Sequence, residues 1–233
     1  MKHAAKFLLM FALFVSTVPA FADKDEADRA TQRLDRAVAD LDKLTNAGDA
    51  GIPQSILDDA KCIAIVPKLI KGGFIFGAEH GRGVATCRNG RKWSAPAFFT
   101  MTGGNWGAQI GVEGVQLVMI FMNEDGARHL LSANWKIGAD AGIAAGPFGR
   151  DASANTDWKL KTGILTYSRS KGAFIGISLD GTNVRADGDA IRAFYGREHN
   201  FRDLLEGRVT PPAAAQPFLA GVQREFHEAQ ATR

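Results

Sequence analysis

The feature that most constrains the fold is a glycine-rich middle segment, residues 71–180, with sequence of helical pattern on both sides. This segment holds most of the chain's 26 glycines. Glycine weakens helices, and it lets strands bend, bulge and turn tightly. We therefore predict an α+β fold. It consists of a twisted antiparallel sheet of many short Gly-rich strands, curled until nearly closed, with packed N- and C-terminal helices.

Five sequence motifs, most of them rich in glycine, follow one another along this segment. They are KGGFIFG at 71–77, WSAPAF at 93–98, GGNWGAQIG at 103–111, AAGPFGR at 144–150 and YSRSKGAFIG at 167–176. In this order they resemble the SYLF-domain family of lipid-binding proteins, over about residues 52–196. The resemblance implies binding of phosphoinositides or other anionic lipids, and in eukaryotic members binding of actin. It assigns no ligand contact to an individual residue.

The N-terminus has the pattern of a bacterial-type secretory signal peptide, residues 1–22. Two lysines precede an apolar run at residues 7–18, and the small-x-small sequence at 20–22 is typical of a cleavage site. The apolar run is short for a bilayer span, which disfavours the alternative of a membrane anchor. We therefore expect cleavage after Ala22 and a periplasmic or secreted protein.

After cleavage we expect one SYLF-like domain, residues 23–233. It divides into an N-terminal helix at 23–51, a core at 52–196 and C-terminal helices at 197–233. The first helix carries a narrow apolar seam at three-four spacing, formed by Ala27, Ala30, Leu34, Ala37, Leu41 and Leu44. Its seam is Ala-rich and its charges are mainly acidic, unlike a membrane-surface helix. We expect it to pack on the protein.

Basic residues are concentrated in the middle of the chain, although the net charge is only +3. Lys and Arg outnumber Asp and Glu within residues 61–180, and the reverse holds in the flanks. This pattern indicates a surface for anions, the alternative being solvated charges that fall unevenly. The candidate lipid-binding residues are Lys68, Lys71, Arg82, Arg91, Lys92, Arg169 and Lys171. We favour the turns predicted at 68–73 and 168–172, where lysine beside glycine leaves backbone N–H groups for phosphate.

The two cysteines, Cys62 and Cys87, allow two interpretations. An oxidising compartment and an even count favour a disulfide between them. The alternative is a pair of buried thiols. Strands are predicted at 62–66, 74–78 and 83–88, with a turn at 79–82 between the last two. A simple three-strand meander of these would place the cysteines at its opposite ends, too far apart to bond. We favour the disulfide.

Residues 71–84 align without gaps onto residues 171–184. Lysine, glycine, phenylalanine, isoleucine, a turn glycine and valine recur at matching places. This similarity predicts two related hairpins in one sheet. The alternative is that two hairpins share generic turn chemistry.

The sequence contains no established catalytic motif. It lacks the H-E-x-x-H zinc pattern, a C-x-x-C pair, a P-loop and the G-x-G-x-x-G fingerprint. The best acid–base candidate is Glu79 with His80, which we interpret as part of a solvated turn. We therefore expect no enzyme, no catalytic residue, no metal and no cofactor. The near-neutral charge and the expected export also argue against a nucleic-acid partner.

These observations favour a non-enzymatic module that binds anionic, phosphoinositide-like lipid headgroups at a membrane surface. The alternative is a structural or protein-interaction domain of the bacterial envelope without a lipid ligand. The two differ in one structural consequence. A lipid-binding module should bring its basic residues together on one face, whereas scatter over several faces favours the interaction domain.

Overall fold

A computed structural model of the protein describes residues 19–48, 51–73, 76–106, 111–147 and 163–231. The signal peptide predicted from the sequence lies outside these ranges, apart from the backbone of its last four residues. The helices of the described ranges are α1 (Pro19–Thr45), α2 (Gln54–Asp59), α3 (Glu124–Leu131), α4 (Gly188–Tyr195), α5 (Phe201–Leu205) and α6 (Gln216–Ala231), with a 3-10 helix at Ala213–Ala215. The strands are β1 (Cys62–Gly73), β2 (Phe76–Asn89), β3 (Lys92–Trp93), β4 (Ala97–Trp106), β5 (Gly111–Phe121), β6 (Asn134–Lys136), β7 (Ile143–Ala145), β8 (Ile164–Ser170), β9 (Ala173–Phe174) and β10 (Asn183–Ala186).

These strands form one curled sheet, a half-barrel, in the order β6-β10-β4-β2-β1-β5-β8-β7. The short strands β3 and β9 pair with β2 and β8. The predicted α+β class with a curled sheet is confirmed. Two details differ from the prediction. The pairing of β7 with β8 is parallel, so the sheet is mixed. The central strands β1, β2 and β5 are also long, with 12, 14 and 11 residues.

The central strand β1 contains a β-bulge, and the turn predicted at 68–73 is therefore wrong. The register of β1 shifts against both of its neighbours, between Ile65 and Leu69 against β2 and between Val66 and Leu69 against β5. One extra residue is thus accommodated at Pro67 and Lys68. Proline cannot donate a ladder hydrogen bond, so a bulge is the place where a central strand tolerates it. The strand then continues to Gly73.

Strand β2 is continuous, and the turn predicted at 79–82 is wrong as well. It pairs with β1 as one long antiparallel hairpin, from Gly73 opposite Gly77 to Cys62 opposite Cys87. The two cysteines therefore lie directly across from each other, with a Cα–Cα distance of 4.0 Å, and form a disulfide. The predicted disulfide is confirmed, and the meander that would have separated the cysteines is not formed.

Residues 171–184 do not form a hairpin like residues 71–84. Lys171 and Gly172 both have positive φ and make the tight turn between β8 and β9. Strand β9 pairs with β8, whereas β10 pairs with β4 and β6 on the other side of the sheet. The predicted pair of related hairpins is therefore wrong, although both segments belong to the same sheet. The shared residues occupy different structures, because Lys71 and Gly72 lie in β1 whereas Lys171 and Gly172 form a turn.

Helix α1 packs on the protein, as its apolar seam predicted. It contacts β1, β2, α4 and α6, and Thr45 Oγ1 donates a 2.5 Å hydrogen bond to Glu225 of α6. The fully buried seam residues are Ala30, Leu34, Ala37, Leu41 and Leu44. In the part of the chain that the structure describes, no helix combines the length and the apolar character needed to cross a membrane.

A buried ion pair joins the central hairpin to the irregular segment 175–182. Lys71 lies opposite Glu79 in the β1–β2 ladder, and only 4% and 5% of the two residues is exposed. The Lys71 Nζ to Glu79 Oε2 distance is 3.2 Å, and Nζ also donates to the Ser178 carbonyl at 2.7 Å. Thr182 Oγ1 donates to the other Glu79 oxygen. The charges are therefore paired with each other and hydrogen-bonded to the segment that covers them.

Removing the disulfide should lower the free energy of unfolding by about 3–4 kcal/mol in the chain-entropy model, given its sequence separation of 25. The measurement compares guanidinium denaturation of the oxidised wild type with that of a Cys62→Ala, Cys87→Ala variant. Wild type in reductant is the control, because it loses the bond but keeps both sulfur atoms. Equal midpoints with and without reductant would contradict the prediction.

Lys71→Ala should lower the free energy of unfolding by about 3–5 kcal/mol, because it leaves the buried Glu79 carboxylate without its counter-charge. Lys68→Ala is the matched control in the same strand. Its side chain is exposed, so the change should stay within about 0.5 kcal/mol. Chemical denaturation of the two variants checks this, and similar losses in both would show that the ion pair contributes little.

Candidate functional site

A cleft between helix α1 and strands β1 and β2 is lined mainly by basic residues. Its volume is about 270 Å³. The residues that line it are Arg29, Gln32, Arg33, Arg36, Pro67, Lys68, His80, Gly81 and Arg82. Five of these nine residues are lysine or arginine, one is histidine, and none is acidic. We call this site the basic cleft.

Helix α1 contributes one wall of the basic cleft. Arg29, Arg33 and Arg36 are spaced by four and three residues, so they lie on one face of the helix. Arg29 and Arg36 are exposed, whereas Arg33 is buried against the sheet. The Arg33 guanidinium lies over the Phe98 ring, 5.2 Å from its centroid. The docking of α1 on the sheet therefore brings a row of arginines to the strands.

Strands β1 and β2 contribute the other wall. The bulge in β1 presents Lys68 at the surface, and His80 and Arg82 alternate with buried positions along β2. Gly81, between them, supports this arrangement from the opposite face. A Cβ atom on Gly81 would lie 2.7 Å from Val66 Cγ1, which would force the hairpin apart beside the bulge. Glycine thus lets the bulged strand and β2 pair closely.

Carboxylates outside the cleft lining pair with three of the arginines: Arg29 Nη1 lies 3.4 Å from Glu26 Oε2, and Arg33 and Arg82 are held more closely. Asp187 Oδ2 lies 3.1 Å from both Arg33 Nη1 and Arg82 Nε, and Glu26 Oε1 lies 2.8 Å from Arg82 Nη2. Asp187 also caps α4 by accepting from the Ala190 N–H at 3.2 Å. Burial lowers the pKa of the Arg33 guanidinium, and the charge of Asp187 opposes that shift. Arginine stays protonated in proteins, so both guanidinium groups are charged and oriented.

Two further cations of the basic cleft have no ion pair within the described ranges. Lys68 has neither a carboxylate partner nor a hydrogen bond there. Arg36 donates one long hydrogen bond, 3.5 Å, to Gln32 Oε1. His80 lies beside them with an exposed side chain. A ligand with negative charge could therefore bind Lys68 and Arg36 without displacing a carboxylate.

The residues that the sequence predicted as lipid contacts do not converge on one face. Lys68 and Arg82 line the basic cleft, but Lys71 is buried in its ion pair with Glu79 and does not reach the surface. The others lie elsewhere. Arg91 lies in the turn before β3 and Lys92 begins that strand, and both are exposed. Arg169 near the end of β8 donates to the Gly172 carbonyl at 2.9 Å, and Lys171 lies in the β8–β9 turn. By the criterion stated above, this scatter counts against the predicted set as a whole.

The arginines of α1 are the cleft residues that the sequence analysis missed. The helix was interpreted from its overall acidic balance, which hides the basic row. The signal was present in the spacing of Arg29, Arg33 and Arg36. The spacing alone does not show that α1 packs beside Lys68, because the tertiary structure sets that contact.

The candidate acid–base pair is not assembled. Glu79 and His80 are consecutive in a strand, so their side chains point to opposite faces of the sheet. Glu79 lies in the buried ion pair, and His80 faces the basic cleft. Within the described ranges, no group of three or more His, Cys, Asp or Glu residues could hold a metal ion.

Comparison with known proteins agrees with the glycine motifs. The profile of the family described as "Ysc84: Las17-binding protein actin regulator" matches residues 102–225, which is more than half of the chain. Protein YSC84 of Saccharomyces cerevisiae is 35% identical over 175 residues, which covers 73% of this chain and 37% of that protein. The human SH3 domain-containing YSC84-like protein 1 is 33% identical over 196 residues, covering 83% of this chain and 56% of the relative.

A third similar protein, LAS seventeen-binding protein 3 of Saccharomyces cerevisiae, is 33% identical over 175 residues, which is 38% of its length. The chain thus spans between about a third and a little over half of these relatives. The family match at residues 102–225 nevertheless includes strand β5, the last three of the five motifs and most of the C-terminal helical region. The chain therefore belongs to the Ysc84 family, and its domain is the SYLF domain that the order of its glycine motifs indicated.

Proposed function

We propose that this protein is a non-enzymatic module that binds anionic phospholipid headgroups reversibly through the basic cleft. The observation that carries the proposal is the composition of the cleft, in which six of nine lining residues are basic or histidine and none is acidic. Guanidinium groups bind phosphate through paired, charge-assisted hydrogen bonds, and an ammonium adds a point charge. Arg36 and Lys68 supply one of each without an ion pair in the described ranges.

The size and lining of the cleft favour a headgroup over an acyl chain. A volume of about 270 Å³ would hold roughly nine water molecules at liquid density. That is room for a phosphorylated headgroup, and the charged ends of the lining side chains favour a phosphate over a lipid tail. A phosphoinositide-like headgroup, with more than one phosphate, suits cations supplied by both walls of the cleft.

The ion pairs of Arg33 and Arg82 support binding by fixing geometry in advance. Asp187 and Glu26 hold these guanidinium groups at the floor of the cleft, so little side-chain freedom is lost when a ligand binds. Each cation near an anionic surface contributes on the order of 1 kcal/mol, weakened by salt. Three or four such contributions give roughly millimolar binding, which suits a reversible peripheral contact.

The second candidate function is a protein-interaction domain without a lipid ligand. Two observations favour it: the relatives include a protein named for binding LAS seventeen, and the basic residues predicted from the sequence are scattered. On this interpretation the basic cleft takes an acidic segment of a protein partner. The two candidates differ in whether the isolated protein distinguishes anionic from neutral vesicles.

The proposal also places the protein outside the cytoplasm, in the periplasm or secreted. It is supported by the predicted signal peptide and by the Cys62–Cys87 disulfide, because disulfides persist mainly in oxidising compartments.

The charge-reversal variant Arg36→Glu, Lys68→Glu should bind vesicles containing phosphoinositide or phosphatidylserine at least about tenfold more weakly than wild type, because two cations of about 1 kcal/mol each are lost and replaced by repulsion. Co-sedimentation with anionic and neutral vesicles measures this. The matched control is Arg91→Glu, Lys92→Glu, which changes the net charge equally at exposed residues outside the cleft and should stay within about twofold.

Equal weakening of the two variants would show that binding follows net charge and not the cleft. A wild type that binds anionic and neutral vesicles alike would contradict the lipid proposal and favour the protein-interaction domain.

Expression with the full N-terminus in a bacterial host should give an exported protein that begins at Asp23, because the apolar run and the small-x-small site direct cleavage after Ala22. Intact mass of the periplasmic fraction measures the N-terminus. A mature species that retains residues 1–22 would contradict the prediction.

A further inference from the structure

The face of the sheet on which α1 packs is covered over only part of its length. Under the helix lie buried residues such as Val84 and Phe98, which pair in the β2–β4 ladder. Past the basic cleft the same face continues without a covering element in the described ranges. We call this part the open face; it consists of Ile70 and Gly72 of β1, Ala78 and His80 of β2, Thr102 and Gly104 of β4, and Val112 and Gly114 of β5.

Strand register shows that these eight residues form one continuous surface. Ile70 lies opposite His80 and Gly114, and His80 lies opposite Thr102. In the next row, Gly72 lies opposite Ala78 and Val112, and Ala78 opposite Gly104. All of them are exposed except Gly72, which is partly buried. The open face therefore spans four neighbouring strands and adjoins the basic cleft at His80.

The open face contains the large apolar side chains that are exposed within the described ranges. Val112 is 82% exposed and Ile70 is 40% exposed. They project from a surface that is otherwise flat because of its glycines. At Gly104 and Gly114 the fold does not demand glycine, since an added Cβ atom would meet nothing closer than 3.6 Å and 3.8 Å. A strand face kept free of side chains without a packing reason is typical of a site where another molecule approaches closely.

Charge is sorted between the two faces of these strands. Lys71, Glu79 and Glu113 occupy neighbouring positions of one row, on the face opposite to the open face. The open face carries no carboxylate, and its border carries Lys68 and Arg82 of the basic cleft and the exposed Arg185 of β10. An apolar surface with a cationic border and no acid is complementary to an anionic lipid surface.

We infer that the open face is the surface that lies against the bilayer. Val112 and Ile70 enter the boundary between headgroups and acyl chains while the basic cleft at the border takes a headgroup phosphate. This inference rests on the proposed function and adds the orientation and depth of binding. A second copy of the chain fits less well, because a symmetric contact would bring two cationic borders together.

Substitutions at Val112 test the inference without a risk to folding, because the side chain is almost fully exposed. Val112→Ser should weaken binding to phosphoinositide-containing vesicles by about fivefold or more, and Val112→Trp should strengthen it, since tryptophan favours the membrane interface. Neither should change binding of the soluble, deacylated headgroup, measured by calorimetry, by more than about twofold. Arg36→Glu, Lys68→Glu should weaken binding of both probes.

This pattern separates the inference from the function on which it rests. If Val112 variants bind vesicles like wild type while the cleft variant loses both probes, the open face is not the membrane surface and the basic cleft still binds headgroups. If Val112 variants change vesicle binding but the soluble headgroup does not bind wild type, the open face stands and the cleft assignment fails. A wild type that binds neither probe overturns both.

A fluorescent label measures depth directly. The chain's two cysteines are bonded to each other, so Val112→Cys provides a single free thiol for an environment-sensitive dye. Its emission should shift to the blue on anionic vesicles. The control is a dye at Ala214→Cys, an exposed residue in the 3-10 helix, which should not shift. No shift at Val112, or sedimentation showing a dimer that Val112→Ser dissociates, would overturn the inference.

Discussion

The register of strand β1 is the constraint on which the rest of the structure depends. β1 pairs with β2 on one side and β5 on the other, and its bulge shifts both ladders by one residue at Pro67 and Lys68. Below the bulge the shift decides which side chains face inward. Lys71 therefore meets Glu79 in the interior and Ile70 lies on the outside. A β1 without the extra residue would exchange the two faces, exposing the ammonium and burying isoleucine beside a carboxylate.

Because side chains alternate between the two faces of the sheet, the two faces have different roles. One face carries the buried ion pair, which stabilises the hairpin through Ser178 and Thr182. The other carries α1, the basic cleft and the open face. Because consecutive residues point in opposite directions, Glu79 and His80 are adjacent in sequence and separated in role. In a turn, Glu79 and His80 could have acted together as an acid–base pair. In the observed strand, Glu79 belongs to a buried ion pair and His80 lies at the surface.

The basic cleft depends on contacts between segments that are distant in sequence. Asp187 caps α4 and at the same time binds Arg33 of α1 and Arg82 of β2. Three elements thus meet at one carboxylate, and loss of that carboxylate would leave Arg33 and Arg82 to share Glu26. The arginines that remain available, Arg36 above all, are positioned by this docking and not by their own local sequence.

The sequence by itself determined the features that depend on local pattern. Glycine density predicted a curled sheet, the seam from Ala30 to Leu44 predicted a helix packed on the protein, and the order of motifs indicated the family. The two cysteines left two arrangements open. Tertiary structure decided between them, because one long β1–β2 hairpin sets Cys62 opposite Cys87. It also buried Lys71 and assembled Lys68 with the α1 arginines. The local sequence pattern shows whether a segment is a helix or a strand and which of its faces is apolar. Strand register and helix packing depend on contacts between distant segments, and these contacts decide which charged side chains reach the surface.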